Sequence, residues 1–235
     1  TALTRLLKIH TPIICGAMYP CSNPELVAAV SEAGGLGVVQ PLALMYVHGH
    51  DLRAGLKLIR ARTSKPWGFN AIIQKMVKAY EERMSRWIDI ALEEGVGLII
   101  TALGEPGWVV EKAAKYGVPV FHDVVTREHA LKAKNQGVAG LVCVNNRAGG
   151  HLGSLTSRQL LDELGDLELP LVCAGGVGRP EDFAEALAMG YAGVQMGTRF
   201  IATTDCKVHD DYKSAIVKAR SEDIVITDKL DGVDC

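Results

Sequence analysis

The sequence predicts an α/β fold, a (β/α)8 barrel in which eight parallel strands alternate with helices. Eight short apolar runs rich in β-branched residues recur, each followed by a helical pattern and a Gly or Pro break. Runs such as Leu98 to Ile100 are continuously apolar, as expected of parallel strands covered on both faces. The 235 residues also approach the roughly 250 of a bare barrel. An open doubly wound sheet has the same rhythm, but eight units favour closure.

The strands and helix ends can be placed along the chain. Pro24 follows Asn23, and Pro180 follows Arg179, which predicts two helix starts with proline in the first turn and Asn23 as a cap. Glycines are predicted to end helices at Gly34, Gly95, Gly117, Gly137 and Gly190. The predicted strands are Pro12 to Cys15, Leu36 to Val39, Trp67 to Asn70, Gly97 to Thr101, Val118 to His122, Gly140 to Val144, Pro170 to Ala174 and Ala192 to Met196.

Composition predicts a single globular domain over residues 1–235. Hydrophobic residues make up 48% of the chain, and the net charge of -2 gives no basic field for nucleic acid or an anionic membrane. No apolar run is long enough to span a bilayer, so a cytoplasmic location is expected.

The histidines and cysteines predict no metal site. The six cysteines form no C-x-x-C pair, and Cys15, Cys143 and Cys173 lie in apolar runs, where a thiol acts as a small buried hydrophobe. His48 and His50 have too few potential partner ligands to argue for a bound metal ion.

Glycine-rich turns follow the last two predicted strands. Gly175 and Gly176 come after the seventh strand, and Gly197 and Thr198 after the eighth. Backbone N–H groups of such turns approach anions closely, and a short helix starting near Thr198 would add its positive end. Tight turns alone would explain one such loop. Two of them, at the strands where barrels commonly hold phosphate, favour a phosphate-bearing ligand.

A histidine lies in a glycine-rich loop after the sixth strand. The loop covers residues 145–153 and carries His151 at the rim where barrels place their chemistry. Histidine titrates near neutral pH and can take a proton from a bound substrate. The other histidines lack such a position, so His151 is the candidate catalytic residue.

The sequence resembles the nitronate monooxygenase (2-nitropropane dioxygenase) family. The matching blocks are PIICGAM at 12–18, NPELVAAVSEAGGLG at 23–37, GFN at 68–70, AGGHLG at 148–153, AGGV at 174–177 and QMGTRF at 195–200. They occur in the family's order over almost the whole chain. Related enzymes with similar blocks include FMN-dependent enoyl-ACP reductases and NAD(P)H:quinone reductases.

The resemblance implies non-covalent FMN, with His151 as the base that deprotonates a neutral nitroalkane or positions a nitronate before electrons reach O2. NAD(P)H would be the reductant in the alternative reductases, and a homodimer is left open. By the same matching, the cofactor-binding residues are Ala17, Met18, Asn70, Gly149, Gly150, Gly175, Gly176, Gln195, Met196, Gly197 and Thr198.

Several positions depart from the family pattern and leave the substrate open. Val144 replaces a glutamine, Arg147 replaces an acid, and Asp123, just after the fifth predicted strand, stands where some relatives have a basic residue. The helical region that relatives carry after the eighth strand is short or missing before Cys235. Three hypotheses follow: a nitronate monooxygenase, an NAD(P)H-dependent FMN reductase, and an inactive barrel that binds flavin or phosphate.

Overall fold

A computed structural model of the protein describes residues 1–73, 78–229 and 235. Eight parallel strands form a closed barrel in sequence order, with β8 paired to β1. The predicted (β/α)8 barrel is therefore confirmed, with most strand ends shifted by one or two residues. The strands are β1 Ile13–Cys15, β2 Leu36–Val39, β3 Gly68–Ile72, β4 Leu98–Ala102, β5 Val120–Val124, β6 Gly140–Val144, β7 Leu171–Ala174 and β8 Gly193–Met196.

Helices follow the strands around the outside of the barrel. None within the described residues is long and apolar enough to cross a membrane. A π-helix at Ala43–Val47 and short 3-10 turns at Gly165–Leu167 and Ser221–Asp223 complete the description. The α-helices are α1 Ala2–Leu7, α2 Pro24–Glu32, α3 Leu52–Arg62, α4 Lys78–Glu93, α5 Gly107–Ala114, α6 Arg127–Asn135, α7 Ser157–Leu164, α8 Pro180–Met189, α9 Thr198–Ile201 and α10 Asp210–Lys218.

Alternation along each strand separates the barrel interior from the layer beneath the helices. The interior cluster includes Ile14, Leu98, Phe121, Val142 and Val172. Residues one position away along the strands pack instead with the helices in two outer clusters. Because side chains alternate between the faces of a strand, the register fixes which residues reach the inside of the barrel at its C-terminal end.

The predicted helix boundaries are confirmed except for one cap. Pro24 and Pro180 occupy the first turns of α2 and α8, and all five glycines predicted to end helices have positive φ angles. Asn23 makes no capping hydrogen bond. Its side-chain amide instead donates to the Glu25 carboxylate and to the Asp205 carbonyl oxygen, both at 2.9 Å, so it ties α2 to the segment before α10.

The close approach of α2 to β2 predicts a large effect of Gly37→Ala. A Cβ at Gly37 would lie 2.7 Å from the Val27 Cα and 2.8 Å from the Val27 carbonyl carbon, where no side chain can move away. We expect the free energy of unfolding to fall by roughly 1–3 kcal/mol or more, as for other overpacked cores, measured by denaturant titration. Gly165→Ala is the control, because Gly165 has a helical φ of -63° and no atom within 4 Å of the added methyl group. Equal stability of the two variants would contradict this packing.

Candidate active site

Polar side chains of three strands reach the inside of the barrel at its C-terminal end, which we call the barrel mouth. Asn70 on β3 pairs with Ile100, Asp123 on β5 pairs with Val142, and Gln195 on β8 pairs with Ile14 and Ala174. Since those apolar partners belong to the interior cluster, the three polar residues face inward. The sequence placed Asp123 just after the fifth strand, which is wrong, because β5 extends to Val124.

Two polar atoms at the barrel mouth are buried without a hydrogen-bond partner. They are Oδ1 of Asp123 and Oε1 of Gln195. Asn70, which is 9% exposed, donates from Nδ2 to the Ile100 carbonyl oxygen at 3.4 Å. Buried oxygens without donors cost free energy, so each such atom requires a specific explanation, and a ligand bound at the mouth is one.

The ends of β1 and β8 bring several candidate residues together. The Gly16 amide donates to the Met196 carbonyl oxygen at 2.9 Å, and a Cβ at Gly16 would lie 2.9 Å from Cγ of Gln195. A Cβ at Gly197 would lie 3.2 Å from the sulfur of Met18. Ala17, Met18 and Gly197 are all partly exposed. The residues matched to the first and last family blocks therefore line one side of the mouth.

Asn145 is a residue of this region that the sequence did not single out. It is 2% exposed and begins the loop after β6. Its Nδ2 donates to the Gly175 carbonyl oxygen at 2.9 Å, and its Oδ1 accepts from the Arg147 amide at 2.8 Å. Gly175 has a φ of 116° and leaves no room for a Cβ beside Asn145 and Ala148. Asn145 therefore fastens the loop after β6 to the turn after β7.

Arg147 lies over the second glycine of the turn after β7. A Cβ at Gly176 would lie 2.9 Å from Nε and 3.0 Å from Cζ of Arg147, so this glycine contacts the guanidinium group. Arg147 itself is exposed at the protein surface. The turn predicted to hold phosphate thus carries a positive charge, which strengthens its attraction for an anion.

The loop that carries His151 also approaches the start of α9. A Cβ at Gly149 would have the Thr198 hydroxyl oxygen at 3.8 Å as its nearest contact, and one at Gly150 would meet nothing within 4 Å. The short helix predicted near Thr198 is present as α9. His151 is exposed on this loop. The family blocks after β6, β7 and β8 consequently surround one open region at the rim.

Other features of the molecule lie apart from this region. In the described parts of the chain, no three His, Cys, Asp or Glu side chains form a group able to hold a metal ion. One surface cavity lies beside Pro170 and Gly190, at the opposite end of the barrel, and another lies beside Trp108 and Gln136. Cys15, Cys143 and Cys173 are buried free thiols, as the sequence predicted.

The closed barrel of eight parallel strands defines a (β/α)8 protein whose candidate site lies at the C-terminal ends of its strands. The profile of the nitronate monooxygenase family matches residues 1–235, and the chain belongs to this family.

Individual relatives differ in their stated activities. The chain is 30% identical over 234 residues to a protein of Rhodococcus jostii named (3aS,4S,5R,7aS)-5-hydroxy-7a-methyl-1-oxo-octahydro-1H-indene-4-carboxyl-CoA dehydrogenase, covering 99% of this chain and 64% of that protein. It is 26% identical to a probable nitronate monooxygenase of Staphylococcus saprophyticus, covering 99% of this chain and 76% of the relative. The chain therefore spans less than two-thirds of the length of the Rhodococcus protein.

Solved structures share the fold. FabK from Thermotoga maritima superposes with a TM-score of 0.86 and 31% identity, covering 100% of this chain and 73% of FabK. The barrel and its helices are thus arranged as in an experimentally determined relative.

The contacts of Asn145 predict that Asn145→Ala loosens the rim. The substitution leaves the Gly175 carbonyl oxygen and the Arg147 amide without their partner, and such a loss in a buried site costs about 1–3 kcal/mol. We expect a lower melting temperature and faster amide hydrogen exchange in residues 146–153 and 175–178. Asn146→Ala is the matched control, because the described contact of Asn146 is a backbone hydrogen bond to Leu155. Identical exchange in both variants would contradict the role of Asn145.

Proposed function

We propose that the protein is an FMN-dependent oxidoreductase that oxidises alkyl nitronates with O2. The observation that carries this proposal is the match of the nitronate monooxygenase family over residues 1–235. The arrangement of the mouth supports it, because the loop of His151, the turn at Gly176 and the start of α9 surround one region.

The residues present at the mouth fit a flavin. The uncovered Oε1 of Gln195 can accept a hydrogen bond from a ring N–H, and the Asn70 amide lies on the same inner surface. The positive charge of Arg147 over Gly176 suits a phosphate group. In this proposal Ala17, Met18, Asn70 and Gln195 contact the ring, whereas the ribityl phosphate is held by Gly149, Gly150, Gly175, Gly176, Met196, Gly197 and Thr198.

The protein contributes binding, orientation and one proton transfer. His151 takes a proton from the carbon atom of a neutral nitroalkane in this proposal, and its position on the loop after β6 supports that role. A preformed nitronate has already lost that proton and needs only to be positioned. When bound, FMN supplies the redox chemistry by accepting electrons from the substrate and passing them to O2.

Two observations favour a second candidate, an FMN reductase or dehydrogenase with an anionic substrate or cosubstrate. Arg147 places a cation at the mouth where the family pattern has an acid, and the Rhodococcus relative is named for a coenzyme A ester. NADH, NADPH and coenzyme A esters all carry phosphates that a guanidinium group attracts. Val144, which stands where the family pattern has a glutamine, lies beside the same loop.

Reduction of the bound flavin by different substrates tests these candidates. The purified protein should be yellow, or become so with added FMN. Under anaerobic stopped-flow conditions, propyl-2-nitronate should bleach the flavin spectrum, with NADH, NADPH and the hydroindane-carboxyl-CoA ester measured in parallel. Reduction by a nicotinamide or the CoA ester alone would replace nitronate oxidation by the second candidate. A colourless protein that cannot be reconstituted would leave an inactive barrel as the remaining hypothesis.

The role of His151 predicts a selective loss in His151→Asn. Because general base catalysis contributes roughly 10²–10⁴-fold, we expect kcat/KM for a neutral nitroalkane to fall by about that factor. Turnover of the preformed nitronate should change much less. Steady-state oxygen consumption with 2-nitropropane and with its nitronate measures both values.

His10→Asn serves as the matched control for this substitution. His10 is exposed and precedes β1, at the opposite end of the barrel from the mouth. Its replacement should leave both rates unchanged. An equal loss of both activities in His151→Asn would refute the assignment of His151 as the base.

A further inference from the structure

Asp123 is an inward-facing carboxyl group whose surroundings favour its neutral form. Its Oδ1 is buried without a hydrogen-bond partner, although the residue as a whole is partly exposed. The neighbouring inward positions on β4 and β6 are Ala102 and Val142, which offer no hydrogen-bonding side chain. An ionised carboxylate in such a place loses hydration that no donor replaces.

The titratable groups around Asp123 do not compensate its charge. β4 contains none, and the Cys143 thiol on β6 packs in the outer cluster. His122 precedes Asp123 and therefore points to the other side of β5. Charged side chains of α5 and α6 lie on helices outside the barrel. Glu105, Arg147 and His151 stand in rim loops. Burial alone therefore raises the pKa of the Asp123 carboxyl to about 7.

We propose that Asp123 is a binding residue that carries a proton and donates it in a hydrogen bond to an acceptor atom of the flavin ring. This inference rests on the proposed function, because a flavin is the ligand. A protonated carboxyl is a donor, whereas the Gln195 oxygen across the mouth is an acceptor. Flavin rings carry both carbonyl oxygens and an N–H group. Asp123 thus offers a donor to a flavin carbonyl oxygen, and Gln195 offers an acceptor to the flavin N–H group.

The protonation requirement makes FMN binding depend on pH. Ionisation of Asp123 removes the donor and places a negative charge against electron-rich acceptors, so only the protonated fraction binds well. With a carboxyl pKa of about 7, that fraction falls about tenfold between pH 6 and pH 8. The apparent Kd for FMN should rise by the same factor.

Three variants distinguish the effect of the Asp123 proton on FMN binding from the effects of other titratable groups. In Asp123→Asn, the amide keeps a donor without a titratable proton, whereas Asp123→Leu removes the donor. Asp162→Asn is the control, because Asp162 is an exposed acid on α7. The phosphate of FMN and the unchanged side chains contribute equally in every variant, so the ratio of wild-type to Asp123→Asn Kd isolates Asp123. Flavin fluorescence quenching at pH 6, 7 and 8 measures each Kd.

We expect that ratio to rise about tenfold from pH 6 to pH 8, and Asp162→Asn to follow the wild type. Asp123→Leu should bind FMN more weakly than Asp123→Asn at every pH. A ratio that stays constant would overturn the assignment. A ratio that falls with pH would also overturn it, because the carboxylate would then be accepting a hydrogen bond.

The protein without FMN provides an independent measurement. Between pH 4 and pH 7 the folded protein retains a proton on Asp123 that the unfolded chain, with a carboxyl pKa near 3.8, has released. Stability relative to Asp123→Asn must therefore decrease as pH rises through this window and level off above about 7. The melting-temperature difference should change by on the order of 10 °C. A flat difference would show that Asp123 is ionised.

The outcomes distinguish this inference from the proposed function. If neither the wild type nor any variant binds FMN at any pH, the proposed function fails, and the assignment of Asp123 fails with it. If FMN binds and is reduced by a nitronate but the pH profiles of wild type and Asp123→Asn are parallel, the proposed function stands and the assignment of Asp123 alone fails.

Discussion

Parallel pairing of β8 with β1 closes the sheet, and the geometry of the mouth depends on that closure. The pairing sets Ile14 beside Gln195 and Cys15 beside Met196. It therefore brings the segment after β1 against the turn after β8, where Met18 meets Gly197. In an open sheet these two edges would be far apart. Closure also directs Asn70, Asp123 and Gln195 towards the barrel mouth, where Oδ1 of Asp123 and Oε1 of Gln195 are buried without a hydrogen-bond partner.

Hydrogen bonds within the protein hold the rim, whereas two buried side-chain oxygens inside the mouth have no hydrogen-bond partner. The side-chain amide of Asn145 donates to the Gly175 carbonyl oxygen and accepts from the Arg147 amide, so the loop after β6 has a fixed starting point. Asp123 and Gln195 instead keep an unpartnered buried oxygen each. A binding site needs both kinds of group. Hydrogen-bonded residues form a rigid frame that orients a ligand, and polar atoms without a partner in the protein supply affinity and selectivity.

The sequence predicted the barrel well because its signals are local. Apolar runs, helix-ending glycines and Pro24 or Pro180 act within a few residues, and the fold follows from their number and order. Local patterns of this kind do not predict contacts between segments that are distant in the sequence. Asn23 has the residue type and position of a cap, yet its amide donates to the Asp205 carbonyl oxygen, far along the chain. The sequence shows the change of charge at Arg147 but not that this side chain lies over Gly176. The apolar run that predicts β5 ends at His122, so the sequence does not predict that β5 continues to Val124 and directs Asp123 into the barrel.

The burial of the cysteines has a practical consequence for chemistry on this protein. Cys15, Cys21, Cys143, Cys173 and Cys206 are enclosed, and loss of hydration raises the pKa of Cys21 to about 12 and that of Cys173 to about 11. Alkylating reagents attack the thiolate, which is then scarce at neutral pH as well as inaccessible. Cys235, partly exposed, is left as the natural point of attachment for a fluorophore or spin label, which could report on the barrel without an engineered cysteine.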